Sequence, residues 1–236
     1  MRARLGFLAL VGIAALVAAP AVSTASPDDQ AEPEPSEPKT VDPDVTSYTY
    51  EVAQRGHVRT DLEEFESLVE VILEERGGWT RAGVELRKVE DDGDVTIILA
   101  APPEVAKADP GCSAVWSCRL GDEVLINDHR WRVASPAWRG TLDDYRHYLV
   151  NHEVGHWLGM GHVDCSGPGE PAPVMQQQSI ELDGCDPNGR PLEEEVEAVA
   201  DLHGTDPVHP QDQLDEPRIS AWADAIRRGS LAIRFR

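Results

Sequence analysis

The segment NHEVGHWLGMGH, residues 151–162, contains three histidines and one glutamate within twelve positions. In a helix, His152 and His156 are four residues apart and project from the same face, so both imidazoles can reach one metal ion. Glu153 lies one position further round, close to such an ion but not obliged to bind it, which suits a general base. The spacing therefore predicts a metal-binding helix in an active site.

The residues after this helix complete the predicted site. Gly159 can take the backbone conformation that ends a helix and turns the chain sharply. His162 can then return toward the ion as a third ligand. Three neutral nitrogen ligands with an open fourth position describe a catalytic zinc site, so we predict one Zn²⁺ per chain. HExxH alone also occurs by chance in helices whose histidines bind nothing, but HExxHxxGxxH fixes five positions and is far rarer.

The composition indicates an acidic protein with one domain and flanking segments. The chain has 236 residues, enough for one domain of about 150–200 residues besides the flanks. Its formal net charge of −22 repels phosphate backbones, so we predict no nucleic-acid partner. No internal repeat is visible, and we expect a monomer.

The first 25 residues have the order of a secretory signal peptide. Arg2 and Arg4 precede an uncharged apolar run from Leu5 to Val22, and small residues follow as far as Ala25. We predict cleavage after Ala25 and a secreted or cell-envelope location. The alternative is that this run of 18 residues stays in place as a membrane anchor. No later stretch could span a membrane, so we expect no span after cleavage.

The domain is expected between two segments of different composition. Residues 26–47 are rich in Pro, Glu, Asp and Ser and predict a disordered acidic linker. The catalytic domain is expected over residues 48–205, and residues 206–236 form a C-terminal extension. Its part 218–236 carries five arginines against one aspartate and predicts a short basic amphipathic helix. Packing on the domain is the favoured role for it, and docking to an anionic surface is the alternative.

Four cysteines follow the signal segment, and an exported chain meets an oxidising compartment. An even number predicts two disulfides, and the sequence allows three connectivities. Local closure favours Cys112–Cys118 and Cys165–Cys185, each of which would clamp a loop. A second, cysteine-ligated zinc site is the alternative, although the chain contains no CxxC pair.

Hydrophobic patterning predicts a sheet of several strands. Alternating or continuous apolar runs predict strands at residues 46–53, 83–90, 94–100 and 123–127. The segment from Pro102 to Gly121 is predicted to be irregular.

Helices are predicted between the first two of these strands and after the last strand. Thr60 with Glu63 forms a capping box for a helix that ends before Gly77, and Thr141 begins the helix that runs into the histidine motif. A last helix is expected from about Pro191 to His203. This order predicts an α+β fold, with a mixed twisted sheet backed by two long helices.

HExxHxxGxxH followed by a methionine resembles the metzincin clan of zinc peptidases. In that clan a tight turn carrying a methionine lies beneath the metal, and the resemblance assigns this place to Met175 in APVMQQQS. A lone methionine also commonly fills a gap in a core. The segment PLEEEVEAVADLHG is similar to the closing helix of several metzincins. The resemblance covers roughly residues 46–205 and implies a metzincin-like zincin fold, with a small C-terminal subdomain made of the Met-turn and closing helix.

A closer resemblance joins YRHYLVNHEVGHWLGMGHVDC, GEPAPVMQQQS and GCDPNG to a family of secreted actinobacterial proteins. The members of that family are regarded as metallopeptidases, and the family is catalogued as a domain of unknown function. The resemblance implies hydrolysis of peptide bonds, but it indicates no particular substrate. Val163 stands where several metzincin groups have a diagnostic residue after the third histidine. Gln177 stands two residues after the methionine, where some groups have a tyrosine. Oxyanion stabilisation would then depend on the metal and backbone donors.

These observations predict a secreted zinc metalloendopeptidase that acts on a peptide or protein substrate. Zinc held by His152, His156 and His162 would activate a water molecule, and Glu153 would take its proton and deliver it to the leaving amine. One alternative is a non-catalytic zinc-containing binding module of the cell envelope, whose cleft is closed by loops. The other is a hydrolase of a non-peptide amide, for example in the cell wall.

Overall fold

Five strands form one sheet in the order β2-β1-β3-β5-β4, in a computed structural model that describes residues 45–208. These strands are β1 (Thr46–Arg55), β2 (Val84–Lys88), β3 (Val95–Ala100), β4 (Cys118–Leu120) and β5 (Glu123–Asn127). The pairs β1–β2, β1–β3 and β3–β5 are parallel, and the edge strand β4 is antiparallel to β5. The sheet is therefore mixed, as predicted.

The predictions for the chain ends lie outside the described residues. They concern the signal peptide, the linker up to residue 44, and the C-terminal extension from residue 209 onward. The described residues belong to one compact unit, Val41–Arg236. Within them, no helix has both the length and the apolar character that crossing a membrane requires.

Both faces of the central strand β3 are buried, which explains its continuous apolar run. Ile97 belongs to the main core and Ile98 to a smaller core on the opposite face. The main core contains side chains of α1 (Leu62–Leu73) and α4 (Leu142–Trp157), the two long helices that the sequence predicts.

The opposite face is covered by a helix that the sequence patterning missed. This helix, α2 (Pro102–Ala108), lies inside the segment predicted to be irregular and buries Val105. Prolines occupy its first two positions, where a missing N–H costs nothing, so they start the helix rather than break it. Strand β4 also lies in this segment, and with three residues it is too short to show a period. A further unpredicted helix, α3 (Asp128–Val133), directly follows β5.

Helix α1 begins one residue later than the predicted capping box requires. Its cap is Asp61, whose carboxylate accepts a hydrogen bond from the backbone N–H of Glu64 at 3.1 Å. The Thr60 hydroxyl instead donates to Asp128 at 2.6 Å, on α3. A tertiary partner has taken the side chain that the local pattern assigned to the cap.

The segment between α4 and the last helix, α5 (Glu193–His203), is mostly irregular. The Cys165–Cys185 disulfide closes its larger loop, and Cys112–Cys118 closes the loop before β4. Both pairs are those predicted. Helix α5 begins at Glu193, two residues after the predicted Pro191, and ends at His203, where Gly204 follows as the cap with a φ of +66°.

Candidate metal centre

Helix α4 positions the first two histidines and the glutamate. The Thr141 hydroxyl caps the helix by accepting from the N–H of Asp144 at 3.0 Å, as predicted. The helix ends at Trp157, and Gly159 follows with φ of +101°, a conformation that other residues rarely adopt. The chain reverses there and brings His162 back toward the helix.

The three predicted histidines converge. One ring nitrogen from each of His152, His156 and His162 lies within 4.8 Å of the other two. The Nε2 atoms of His156 and His162 are 3.1 Å apart. Zinc binds histidine nitrogen at about 2.0–2.1 Å in a tetrahedral arrangement, which places two such nitrogens about 3.3 Å apart. The separation therefore fits two ligands of one zinc ion.

Backbone carbonyls orient two of these rings. His152 Nδ1 lies 2.8 Å from the carbonyl oxygen of Val174, and His156 Nδ1 lies 2.9 Å from that of Met160. A carbonyl oxygen can only accept, so each neutral ring carries its proton on Nδ1 and leaves the Nε2 lone pair for a metal. Such partners are typical of histidine ligands.

Burial also keeps the histidines neutral. It lowers the pKa of His152 to about 3. Burial likewise lowers the pKa values of His156 and His162. A metal ligand must be unprotonated, so all three rings are ready to bind at neutral pH.

Glu153 lies buried beside this cluster, with 6% of its surface exposed. Burial raises its pKa to about 8, and the nearby guanidinium of Arg119 opposes the rise. A cation among the histidines would oppose it further, because an opposite charge favours the ionised carboxylate. Glu153 is thus a carboxyl group whose affinity for a proton is strong, as a general base requires.

Met175 packs beneath α4 at the level of the histidines. It is fully buried, and its Sδ would collide with any Cβ placed on Gly155. The neighbouring Val174 supplies the carbonyl that orients His152. The assignment of a Met-turn remains an expectation from the resemblance, and the geometry adds that Met175 is in direct contact with helix α4.

A buried carboxylate that the sequence analysis did not single out fixes this turn. Glu195 on α5 accepts hydrogen bonds from the backbone N–H groups of Val174, Met175 and Leu192 at 2.8–2.9 Å. Burial raises the pKa of Glu195, and the three N–H donors oppose the rise. In the sequence, Glu195 stands in the run EEE at the start of a helix, so nothing separated it from its solvated neighbours.

A cleft of about 430 Å³ lies over the histidines. Its lining comes from the segment Gly111–Arg119, which is a loop that runs into β4, from α4, and from Gln177, Ser179 and Ile180. The loop is held by its disulfide and by Asn127, whose Nδ2 donates to the carbonyls of Ala114 and Trp116 at 3.1 and 3.3 Å. No sequence pattern linked this loop to the histidine motif, so its contribution to the cleft was missed.

A tyrosine does line the cleft, but it belongs to helix α4 and does not follow Met175. Tyr148 stands one helical turn before His152, and their ring centroids are 5.2 Å apart. Its hydroxyl donates to the carbonyl of Gln176 at 3.2 Å. Gln177, in the place where some metzincins have a tyrosine, also lines the cleft.

Comparison with solved structures finds a weak similarity. Archaemetzincin from Methanopyrus kandleri matches with a TM-score of 0.42 and 15% identity, over 66% of this chain and 96% of that one. A TM-score this low does not by itself establish a shared fold or function. A search of curated proteins gives no match.

The sequence profile of one family matches residues 21–201, which is most of the chain. The matched range includes the sheet, both disulfides, the three histidines and Glu195. The chain belongs to this family, described as "Protein of unknown function (DUF3152)".

Proposed function

We propose that this protein is a secreted zinc-dependent metallopeptidase of the metzincin type, which hydrolyses peptide bonds with Glu153 as general base. The observation that carries the proposal is the convergence of three histidine nitrogens within 4.8 Å, beside a buried carboxyl group and beneath a cleft. A mixed sheet backed by long helices supports the metzincin assignment, as does the HExxHxxGxxH motif. Two disulfides fit a protein that folds outside the cytoplasm.

Each residue of the site has a distinct role in this proposal. A zinc ion held by His152, His156 and His162 would supply Lewis acidity, lowering the pKa of water toward ~7 and polarising a carbonyl group. Glu153 takes a proton from the attacking water and passes it to the leaving amine. The carbonyls of Val174 and Met160 keep the rings in one tautomer.

Access to the site favours an enzyme over a closed binding module. His162 is exposed and His156 is half-buried, and both line the cleft. A module with a closed cleft, the first alternative, would bury these rings behind its loops. Hydrolysis of a non-peptide amide uses the same groups, so the substrate itself must be varied to distinguish it.

The test combines metal content with cleavage. The dialysed protein is expected to hold about one zinc per chain by elemental analysis, and His162→Ala to lose most of it, since two histidines leave the ion under-coordinated. The parent should cleave casein or a peptide library, lose this activity with a zinc chelator and regain it with added zinc. Cleavage of muropeptides but of no peptide would move the proposal to the non-peptide amide.

Glu153→Gln is the variant that separates catalysis from structure. It removes the base but keeps the size of the side chain, so zinc content should stay at the parental level. The rate of hydrolysis should fall by the ~10²–10⁴-fold that a general base contributes. Cleavage at the parental rate would show that Glu153 is not the base, whatever metal is present.

A further inference from the structure

The cleft contains one fixed positive charge that the proposed mechanism does not use. Apart from the histidines, the charged residues that line it are Arg119 and Glu153. Glu153 is buried, whereas Arg119 is exposed to solvent. Of the two, Arg119 is therefore the charged group that solvent and a ligand in the cleft can reach directly.

The backbone of Arg119 is held in place before any ligand binds. Arg119 pairs with Val124 in the β4–β5 ladder, and the preceding Cys118 is tied by its disulfide. The guanidinium is also fixed at one end, because Nη2 donates to the carbonyl of His156 at 2.9 Å. A group already ordered in this way loses little entropy when it binds.

Most of the hydrogen-bonding capacity of this guanidinium is not used within the protein. Arginine has five N–H donors, and the described residues supply Arg119 with one acceptor, the His156 carbonyl. No ion pair joins Arg119 to an acidic side chain among residues 45–208, whereas Arg55, Arg81 and Arg190 each pair with a glutamate. The planar fork matches a carboxylate, which it can bind through two parallel hydrogen bonds.

We propose that Arg119 is a specificity-determining residue that binds an acidic side chain of the substrate, so that the cleft selects peptides with aspartate or glutamate near the bond that is cut. This inference rests on the proposed function, since it takes the cleft as the place where a peptide binds. The net charge of −22 does not prevent such selection. Charges further away than about 8 Å are largely screened at physiological salt, whereas a direct contact within the cleft is screened much less.

The test measures binding, so that it does not depend on turnover. Peptide hydroxamates are made in pairs that differ only in having glutamate or glutamine at one position, and that position is moved along the peptide. Calorimetry with the zinc-loaded parent should give about tenfold or tighter binding of the glutamate peptide at one position, as expected for a charge-assisted hydrogen bond. Equal affinity within every pair, or no binding of any pair, would overturn the inference.

Substitutions at Arg119 locate the effect, and Arg87 supplies the matched control. In the pair for which the parent prefers glutamate, Arg119→Ala should make the affinities of the glutamate and glutamine peptides nearly equal. Arg119→Glu should favour a peptide with lysine at the same position. Arg87 is an exposed arginine on β2, at the opposite edge of the sheet. Arg87→Ala removes the same charge and should leave the preference for the glutamate peptide unchanged. If Arg87→Ala weakened this preference as much as Arg119→Ala, the overall charge of the protein would be its cause.

Two further measurements distinguish failure of this inference from damage to the site in the variant and from failure of the proposed function. Arg119→Ala also removes the bond to His156, so its zinc content and melting temperature are compared with those of Arg119→Lys. The lysine variant keeps the charge and should retain part of the preference. Cleavage of the library without acidic preference would leave the proposed function standing and this inference wrong. A glutamate preference that depends on Arg119, in a protein that cleaves nothing, would support the binding of acidic peptides at Arg119 and show that the proposed hydrolysis is wrong.

Discussion

Gly155 shows how closely helix α4 approaches the turn that contains Met175. It stands between Glu153 and His156 on α4, and a Cβ at this position would meet the Sδ of Met175 and lie 2.8 Å from a ring carbon of Trp79. Both neighbours are buried, and the Trp79 indole is held by a 3.0 Å hydrogen bond to the carbonyl of Asn151. Neither side chain can withdraw without disturbing the core beneath the site.

Gly155→Ala is therefore expected to destabilise the protein, although alanine normally favours a helix by about 0.5–1 kcal/mol. The overpacking should cost roughly 1–3 kcal/mol, and each kcal/mol lowers the melting temperature by about 2–4 °C in a domain of this size. Differential scanning calorimetry measures the shift. Gly167→Ala is the control, because no atom lies within 4 Å of the added methyl group. An unchanged or higher melting temperature for Gly155→Ala would contradict the close approach.

The sequence predicts those site residues whose relation is local in the chain, and it misses those whose partners are distant in the chain. Helix periodicity relates His152 to His156, and a local turn brings His162 to them. A short segment of sequence is therefore enough to predict the three ligands. Gly155 and Glu195 owe their roles to residues 20 or more positions away, Met175 and Val174 among them. A single sequence does not record such contacts.

Helix α5 supports the candidate metal centre without contributing a ligand to it. Its Glu195 carboxylate holds the N–H groups of Val174 and Met175, and the carbonyl of Val174 in turn orients His152. A second link connects the ends of the two helices: His203 Nε2 donates to the carbonyl of Leu158 at 3.0 Å, just before the turn at Gly159. The closing helix thus fixes the turn whose carbonyl orients His152 and the end of α4 that precedes His162.

Glu195→Gln should weaken this connection without changing the size of the side chain. Glutamine has one acceptor oxygen, so at least one N–H group loses its partner and the new NH₂ group faces a donor. We expect a loss of roughly 1–3 kcal/mol in the free energy of unfolding. Zinc retention on dialysis should also fall, because His152 loses its orientation. Glu194→Gln, on the same helix turn, is the control; equal effects of both variants would show that helix charge is the cause.

The predictions for the elements failed where segments were short or where a tertiary partner competed. Strand β4 has three residues and α3 has six, which is too few for a hydrophobic period to stand out. Thr60 has the right position for a cap but bonds Asp128 instead. The strands β1 and β3 and the helix α4 were predicted because each is long enough for its pattern to be read.

At the scale of the whole molecule, the buried carboxylate of Asp128 links the segment before α1 to the end of strand β5. Asp128 is 2% exposed and accepts hydrogen bonds from the backbone of Arg59 and Thr60, from the Thr60 hydroxyl and from Arg132. Burial alone would raise its pKa, but these donors outweigh burial and hold the pKa below its usual value of 3.8. The ionised form is therefore favoured by folding.

Asp128 should make the stability of the protein depend on pH in the acidic range. A carboxyl group whose pKa is lower when folded contributes stability above its unfolded pKa, and this contribution is lost as the pH falls through the folded value. Asp128→Asn should cost roughly 1–3 kcal/mol at pH 7. The difference between parent and variant should shrink as the pH falls from about 4 downward, as measured by urea unfolding. A difference that stays constant from pH 7 to pH 2 would contradict the assignment.

The carbonyl groups that orient His152 and His156 belong to the protein's own backbone, at Val174 and Met160. Small zinc domains unfold when their metal is removed, because the ion itself holds the ligands together. Here the rings keep their places through peptide groups, so loading and release of the ion should be reversible at constant fold. A chelator is expected to leave the circular dichroism spectrum unchanged, and added zinc to restore the metal content without a refolding step; unfolding on chelation would contradict this. Under the proposed function, the exported chain would fold first and acquire zinc afterwards from its surroundings.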